Sequence, residues 1–258
     1  MTLPIRAALP ELLAALRAGG NAVLVAPPGA GKTTAVAPAL LSEDWCKGQV
    51  LLLSPRRLAA RAAAERMAEM AGEPVGATIG YATRMDSRQS AQTRILVITE
   101  GIFRNRIQDD PELSGVSAVL FDEVHERSLD SDFGLALALD AQEGLRPDLR
   151  LLPMSATLDG ARFSALMNDC PVITSEGRSH PLEIRYSGRR AEMRIEDDMA
   201  AAVRRALAEE EEGDILAFLP GVAEIERTAE RLTDIADVAL HKLHGSLEPK
   251  DQRAAIRP

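Results

Sequence analysis

The sequence is poor in aromatic residues and in positive charge. The first shortage limits the composition of the core, and the second limits the classes of binding protein to which the chain can belong. Aromatic residues make up 3% of the 258 residues whereas hydrophobic residues make up 46%, so the core must consist mainly of aliphatic side chains. The formal net charge of −9 argues against a general polyanion-binding protein, because the overall field repels phosphate. This balance still allows a local basic surface.

Cysteine pairs and long apolar runs are also absent. Cys46 and Cys170 are far apart in sequence and form no CxxC pair, which favours reduced thiols in a cytoplasmic protein. The chain does not open with a basic region followed by a long apolar core, so we expect no signal peptide. No apolar run approaches the length that crosses a bilayer, so we expect no membrane partner.

What the sequence does contain is an alternation of short apolar runs with helix-length amphipathic stretches. The apolar runs are NAVLVA, VLLLS, ILVIT, AVLFD and RLLPMS, and the clearest helical stretches are RRLAARAAAERMAEMAG and DFGLALALDAQEG. This pattern predicts βαβ units that form a doubly wound parallel sheet in a first α/β domain over residues 1–178. Pro38 falls inside the predicted helix after the first strand, where proline normally breaks a helix.

A polar segment with Gly and Pro, SEGRSHPLEIRY at 175–186, predicts a linker and hinge, after which the pattern restarts. Residues 179–258 are predicted to hold this linker and an incomplete second lobe, about half of a usual α/β domain in length. Its predicted order is helix EDDMAAAVRRALAEEEEG, strand DILAFLPG, helix VAEIERTAERLTD and strand VALHKLHG, with an acidic patch at 209–213.

The stretch APPGAGKTT at residues 26–34 lies between a predicted strand and a predicted helix. Glycines let backbone N–H groups converge on phosphate oxygens, Lys32 can reach the β- and γ-phosphates, and Thr33 can place its hydroxyl on Mg²⁺. A plain glycine-rich turn is the alternative, which the intact GKT makes the weaker interpretation. The predicted nucleotide-binding residues are Gly29, Ala30, Gly31, Lys32, Thr33 and Thr34.

Two further segments carry polar groups at strand ends. Asp122 and Glu123 follow an apolar strand, where one carboxylate can hold Mg²⁺ through water and a second can orient or deprotonate attacking water. His125 lacks a second His or Cys at ligand spacing, so polar coupling is favoured over metal binding. In MSATL, Ser155 and Thr157 are a weak signal alone, and a small-residue turn is the alternative.

All five strand runs of the first domain end in a polar motif: APPGAGKTT, SPRR, TEG, DEVH and SAT. Because the carboxyl ends of parallel strands lie on one edge of the sheet, these five segments should converge on a single crevice.

Taken in order, APPGAGKTT, SPRRLAAR, TEGIFRN, DEVHERSLDSDF, MSATL, SEGRSHPLEIRY and FLPG resemble the motifs of superfamily 2 helicases. They are most similar to the DEAH/RHA group and, within it, to its bacterial ATP-dependent members. The resemblance covers nearly the whole chain, and DEVHERSLDSDF is its most specific part. It implies a RecA-like P-loop NTPase fold, and it explains Ala26, since the group's phosphate loop commonly begins with alanine.

The resemblance also implies a role for each motif. Lys32, Thr33 and Asp122 would hold the nucleotide and Mg²⁺, and Glu123 would activate water. Three residues, His125, Ser155 and Thr157, would link nucleotide state to lobe movement. Adenine selectivity would be weak, so ATP is expected, with other nucleoside triphosphates as alternatives.

The same resemblance implies that SPRR and TEG grip an RNA backbone, with single-stranded RNA or an RNA duplex with an overhang as the partner. From Ser54 to Arg106 there are nine Arg and five Asp or Glu, a local net charge of 9 − 5 = +4. We expect Arg61 and Arg66 to lie on solvated helix faces, and Arg106 is a further candidate for RNA. The predicted RNA-contact residues are Arg56, Arg57, Thr99, Gly101 and Arg104.

Two other functions remain open. A transporter-type ATPase is suggested by ELSGVSAVLFDE, but Leu113 precedes Asp122 too closely for a helix to intervene. A non-catalytic RNA-binding scaffold is the second. The resemblance places the charge-stabilising arginines in later motifs, which the sequence does not contain; Arg253 and Arg257 are the last arginines and lack a glycine-flanked context. On this reading the chain should bind nucleotide but hydrolyse it slowly.

Overall fold

A computed structural model of the chain describes residues 3–18, 20–157, 160–176, 182–188, 192–209, 213–236 and 238–256. It divides into two compact units, Met1–His180 and Pro181–Pro258. The predicted boundary between residues 178 and 179 and the centre of the predicted hinge lie outside the described residues, as do Arg257 and most of the acidic patch at 209–213.

Within the described part of the first unit, eight strands form one sheet in the order β4-β3-β5-β2-β6-β7-β1-β8. The strands are β1 Val23–Val25, β2 Gln49–Ser54, β3 Ile79–Ala82, β4 Ser87–Arg88, β5 Ile95–Thr99, β6 Val116–Phe121, β7 Arg150–Ser155 and β8 Val172–Thr174. Every neighbouring pair is parallel except β3 and β4, which are antiparallel. The five predicted strands and the α/β class are therefore confirmed.

Helices cover both faces of this sheet. They are α1 Leu9–Arg17, α2 Lys32–Leu40, α3 Arg57–Ala71, α4 Glu100–Asp109, α5 Leu129–Gly144 and α6 Gly160–Leu166, preceded by a 3₁₀ turn at Pro4–Ala7. Side chains from α1, α2 and α3 share one buried cluster with Val50 and Leu52 of β2, whereas those from α4, α5 and α6 share another with Leu51 and Leu53. Burial on both faces explains why these strands appear in the sequence as continuous apolar runs.

Pro38 lies within α2, so the helix predicted across this proline is confirmed. Its ring nitrogen cannot donate to the carbonyl of Thr34, which removes one helical hydrogen bond. The helix tolerates the loss because Pro38 is in the last turn, and α2 ends at Leu40.

In the second unit the structure contains α7 Ile195–Glu209, α8 Val222–Glu230 and α9 Pro249–Ile256. The two predicted helices are confirmed, and α7 and α8 are joined by an ion pair of 2.7 Å between Glu196 and Arg227. The predicted strands DILAFLPG and VALHKLHG are wrong, since their described residues join no β-ladder. A strand needs a neighbouring strand for its backbone hydrogen bonds, and the described part of this unit provides none. Leu216 and Phe218 are accordingly exposed.

In the parts of the chain that the structure describes, no helix combines the length and the apolar composition that spanning a membrane requires.

Candidate nucleotide-binding site

The loop after β1 has the backbone shape of a phosphate cradle. Gly29 and Gly31 adopt φ angles of 76° and 92°, in the left-handed region that favours glycine. A Cβ on Gly31 would lie 2.8 Å from Leu3 Cδ1, so Leu3 would have to shift to admit a side chain there. The Ile5 N–H donates to the Ala30 carbonyl at 3.1 Å and fixes the loop against the first helical turn. The loop leads into α2 with Gly31 as its N-cap.

Lys32 is almost completely buried, with 4% of the residue exposed, at the start of α2. Its Nζ atom lies 3.1 Å from Glu123 Oε1. A buried ammonium group requires a counter-charge, and in this structure Glu123 supplies it. The two residues that the sequence assigns to phosphate binding and to water activation are therefore in contact.

The next residue of the loop makes the second link across the sheet edge. Thr33 Oγ1 donates to Asp122 Oδ2 at 2.6 Å, and Asp122 Oδ1 accepts from the Glu123 N–H at 3.0 Å. Burial is the main cause that raises the pKa of Asp122 from 3.8 to about 6, with the neighbouring Glu123 charge adding to it. The carboxylate is thus costly to ionise unless a cation is present.

Thr33 and Asp122 fit a magnesium ion. Mg²⁺ prefers oxygen ligands and typically takes one or two carboxylates, with substrate phosphates and water completing the octahedron. Across the described ranges there is no cluster of three or more His, Cys, Asp or Glu residues that could hold a metal by itself. A site of this type would therefore bind the ion together with a nucleotide.

The turn after Asp122 has an unusual backbone. Glu123 and Arg127 have φ angles of 56° and 53° and flank a short 3₁₀ turn at Val124–Glu126. A left-handed conformation costs a residue other than glycine about 1–2 kcal/mol, so surrounding contacts must hold this turn in place. One such contact joins Arg127 to Asp132 at 2.8 Å.

His125 connects this turn to the end of β7. Its Nδ1 accepts from the Ala156 N–H at 3.3 Å and lies 3.3 Å from Glu123 Oε2. One nitrogen cannot accept from Ala156 and donate to Glu123 at once, so the proton position decides which contact is made. Ser155 Oγ accepts from the Thr157 N–H at 3.1 Å and lies 3.3 Å from Thr157 Oγ1. The DEVH and SAT segments are thus neighbours.

The predicted RNA-contact residues lie at the ends of β2 and β5. Arg56 is the N-cap of α3 and is exposed, and Arg57 begins that helix. Thr99 is the N-cap of α4, and Gly101 and Arg104 lie in the first half of α4. Since β2 and β5 are adjacent parallel strands, SPRR and TEG are neighbours on the edge that also holds the phosphate loop.

Two of the three predicted RNA-contact arginines, Arg56 and Arg104, contact carboxylates. Arg56 lies 3.0 Å from Glu126 Oε1, and Arg104 lies 2.6 Å from Asp130 Oδ1. A Cβ on Gly101 would lie 3.7 Å from Asp130 Oδ2, so Asp130 lies directly beside the TEG backbone.

Other arginines of the basic stretch have structural contacts. Arg106 donates to Gln49 Oε1 at 3.0 Å, and burial lowers its pKa, which favours a packing role over RNA contact. Arg66 is an exposed partner of Glu69 at 2.7 Å, as expected for a solvated helix face. Arg61 differs from the expectation, because it is only 24% exposed and stacks over the Tyr81 ring at 5.9 Å from the centroid.

The structure contains a buried pair, Ser128 and Glu100, that the sequence motifs do not indicate. The Ser128 hydroxyl donates to Glu100 Oε2, and Ser128 Oγ accepts from the Ser131 N–H at 3.0 Å, so it also caps α5. Burial raises the pKa of Glu100. The N-cap pattern Ser-Leu-Asp-Ser marks Ser128 in the sequence, but nothing there indicates that Glu100 turns inward.

Comparison with known proteins gives a consistent result. The family described as DEAD/DEAH box helicase matches residues 6–164. The chain is 49% identical to the ATP-dependent RNA helicase HrpB of Escherichia coli, over 100% of the chain and 32% of that protein. It is 37% identical to the Schizosaccharomyces pombe pre-mRNA-splicing factor ATP-dependent RNA helicase prp22, over 89% of the chain and 20% of that protein. The chain therefore spans about a third or less of these curated relatives.

A solved structure agrees over the same extent. The crystal structure of the E. coli DEAH/RHA helicase HrpB superposes with a TM-score of 0.93 at 49% identity, covering 100% of this chain and 33% of that one.

Proposed function

Because this chain belongs to the DEAD/DEAH box helicase family, we propose that it binds Mg²⁺–ATP and takes part in ATP-dependent remodelling of RNA. The observation that carries the proposal is the meeting of Lys32 with Glu123, and of Thr33 with Asp122, at one edge of the sheet. Residues 1–178 would form the nucleotide-binding domain, and residues 179–258 a linker with part of a second RecA-like domain. The proposed setting is the cytoplasm.

Nucleotide binding requires Lys32 to exchange its partner. In the structure Lys32 is neutralised by Glu123, and a bound triphosphate would offer stronger negative charge at the same place. Glu123 would then be released to orient and deprotonate water, as a general base does in phosphoryl transfer. Thr33 and Asp122 would hold Mg²⁺, which when bound neutralises charge that develops on the phosphates.

The contacts of His125 support a role in coupling. It lies between Glu123 and the backbone of Ala156, so a change in Glu123 when the nucleotide is bound or hydrolysed alters what His125 contacts. Ser155 and Thr157 bond to each other at the same strand end and would move with it.

Weak selectivity for the base is proposed from the resemblance of the motifs to those of the DEAH/RHA group. ATP is the proposed cofactor, with other nucleoside triphosphates as alternatives.

The proposed RNA surface consists of Arg56, Arg57, Thr99, Gly101 and Arg104, and its partner would be single-stranded RNA or a duplex with an overhang. Arginines and helix N-termini contact phosphates without reading bases. Both E. coli HrpB and S. pombe prp22 are named RNA helicases, which supports RNA as the polymer.

The test is release of inorganic phosphate from Mg²⁺–ATP with and without single-stranded RNA. The proposal predicts that release is slow, that it rises with RNA, and that it is lost in Glu123→Gln but not in Glu143→Gln, an exposed change on α5. Phosphate release at the same rate with and without RNA would instead favour a transporter-type ATPase. RNA binding without Glu123-dependent phosphate release would favour a scaffold.

A further inference from the structure

Two arginines of the proposed RNA surface, Arg56 and Arg104, each contact an acidic residue of one short segment. Arg56 contacts Glu126 at 3.0 Å and Arg104 contacts Asp130 at 2.6 Å. Glu126 and Asp130 belong to the segment 123–130, which begins with Glu123 beside Lys32. The segment 123–130 therefore contacts Lys32 of the phosphate loop as well as Arg56 and Arg104 of the proposed RNA surface.

These carboxylates are unfavourable neighbours for bound RNA. A phosphate that approaches Arg56 or Arg104 meets a negative charge already hydrogen-bonded to the guanidinium. Both pairs are partly exposed, with side-chain exposures of 72% and 35% for Arg56 and Glu126 and of 39% and 42% for Arg104 and Asp130. Exposed pairs of this kind are weak enough for a phosphate to displace the carboxylate.

The segment also has an unusual backbone that its contacts help to hold in place. Glu123 and Arg127 have left-handed backbones, which persist only where surrounding contacts impose them. Arg56–Glu126 and Arg104–Asp130 are two such contacts, and Ser128 with Glu100 is a third.

We propose that Glu126 and Asp130 occupy Arg56 and Arg104 as intramolecular substitutes for RNA phosphates, and that RNA binding displaces them and loosens the segment that carries Glu123. This inference rests on the proposed function, since it assumes that Arg56 and Arg104 contact RNA. It adds a mechanism by which RNA binding would affect the nucleotide site.

The experiment measures the affinity of a fluorescein-labelled oligouridylate by anisotropy for the wild-type chain, Glu126→Gln and Asp130→Asn. Each variant should bind the RNA about two- to five-fold more tightly, the range that corresponds to an exposed ion pair. Glu143→Gln makes the same charge change near the C-terminal end of α5 and should leave the affinity unchanged. Thermal melts followed by circular dichroism confirm that each variant is folded.

Double-mutant cycles separate competition for an arginine from general repulsion of RNA. If Glu126 competes for Arg56, the gain from Glu126→Gln disappears in an Arg56→Ala background and persists in an Arg104→Ala background. Asp130→Asn should show the reverse dependence. These four combinations are each other's controls.

Each outcome decides a different point. RNA binding by the wild-type chain with no gain in either variant, or with gains that survive removal of the paired arginine, would overturn the inference and leave the proposed function intact. Failure of the wild-type chain and every variant to bind the oligouridylate would contradict the proposed function itself.

Discussion

Lys32 Nζ lies 3.1 Å from Glu123 Oε1, so in this structure the residue assigned to phosphate and the residue assigned to water neutralise each other. The contact places the two halves of the proposed phosphoryl-transfer site side by side at the ends of β1 and β6. On the proposed function, a nucleotide that binds Lys32 would replace this ion pair.

Lys32→Ala should lower the affinity for Mg²⁺ and a non-hydrolysable ATP analogue sharply, because it removes the charge that faces the β- and γ-phosphates. Charged hydrogen bonds contribute about 1.5–3 kcal/mol, so a loss of about ten-fold to a hundred-fold is expected by calorimetry. Lys47→Ala is the matched control, since Lys47 is exposed on another loop. Unchanged affinity in Lys32→Ala would contradict the assignment of Lys32 to phosphate binding.

Glu123→Gln should bind the same analogue more tightly than the wild-type chain does. The amide no longer neutralises Lys32 and no longer repels the phosphates. Because Lys32 is buried, the gain should be at least about five-fold, the value that corresponds to an exposed ion pair of about 1 kcal/mol. Glu143→Gln should bind like the wild type. Weaker binding in Glu123→Gln would show that the carboxylate helps hold the nucleotide.

Asp122→Asn should stabilise the chain at neutral pH in the absence of Mg²⁺ and nucleotide. The pKa of Asp122 is raised from 3.8 to about 6, so the folded state binds the proton more tightly than the unfolded state. The free energy of unfolding therefore falls as the pH rises from about 4 to about 6, and above that it stays lower by about 3 kcal/mol.

The asparagine removes this pH-dependent penalty but loses one acceptor, which costs about 1 kcal/mol and leaves a gain of about 2 kcal/mol at pH 7. Denaturant unfolding at pH 4 and pH 7 measures it, with the exposed Asp44→Asn as the control. A difference between variant and wild type that does not change with pH would contradict the assigned shift.

Arg56→Ala and Arg57→Ala should weaken binding of single-stranded RNA equally for all sequences, since phosphate contacts carry no base information. Each lost contact should reduce the slope of log affinity against log salt by about 0.7. Arg66→Ala, on the exposed side of α3, should change neither quantity. An effect confined to one RNA sequence would refute a backbone grip.

The strands that position the site could be predicted because they are buried on both faces. β2 and β6 appear in the sequence as unbroken apolar runs, and each ends in a polar motif at the same edge. β8 could not be found in this way, since it has three residues and only Ile173 is buried. β3 was missed because Gly80 interrupts it; a Cβ there would lie 2.5 Å from the Arg88 carbonyl oxygen of β4.

The nucleotide motifs and their convergence follow from the sequence, but the pairing of charges does not. Arg56 and Glu126 are 70 residues apart, and Arg104 and Asp130 are 26 apart. Such pairs depend on how α3, α4 and the turn after β6 are placed by the whole sheet. The sequence shows that this stretch is rich in arginine. Only the fold shows that acidic side chains contact Arg56 and Arg104.

The most direct test of the central claim, that one sheet edge binds both nucleotide and RNA, is a calorimetric titration with the Mg²⁺ complex of a non-hydrolysable ATP analogue, with and without saturating oligouridylate. We expect binding at one site that requires Lys32, with an affinity that changes by about five-fold or more when RNA is bound. By linkage, the analogue must change RNA affinity by the same factor. An affinity that is identical with and without bound RNA, or no binding of the analogue, would contradict this expectation.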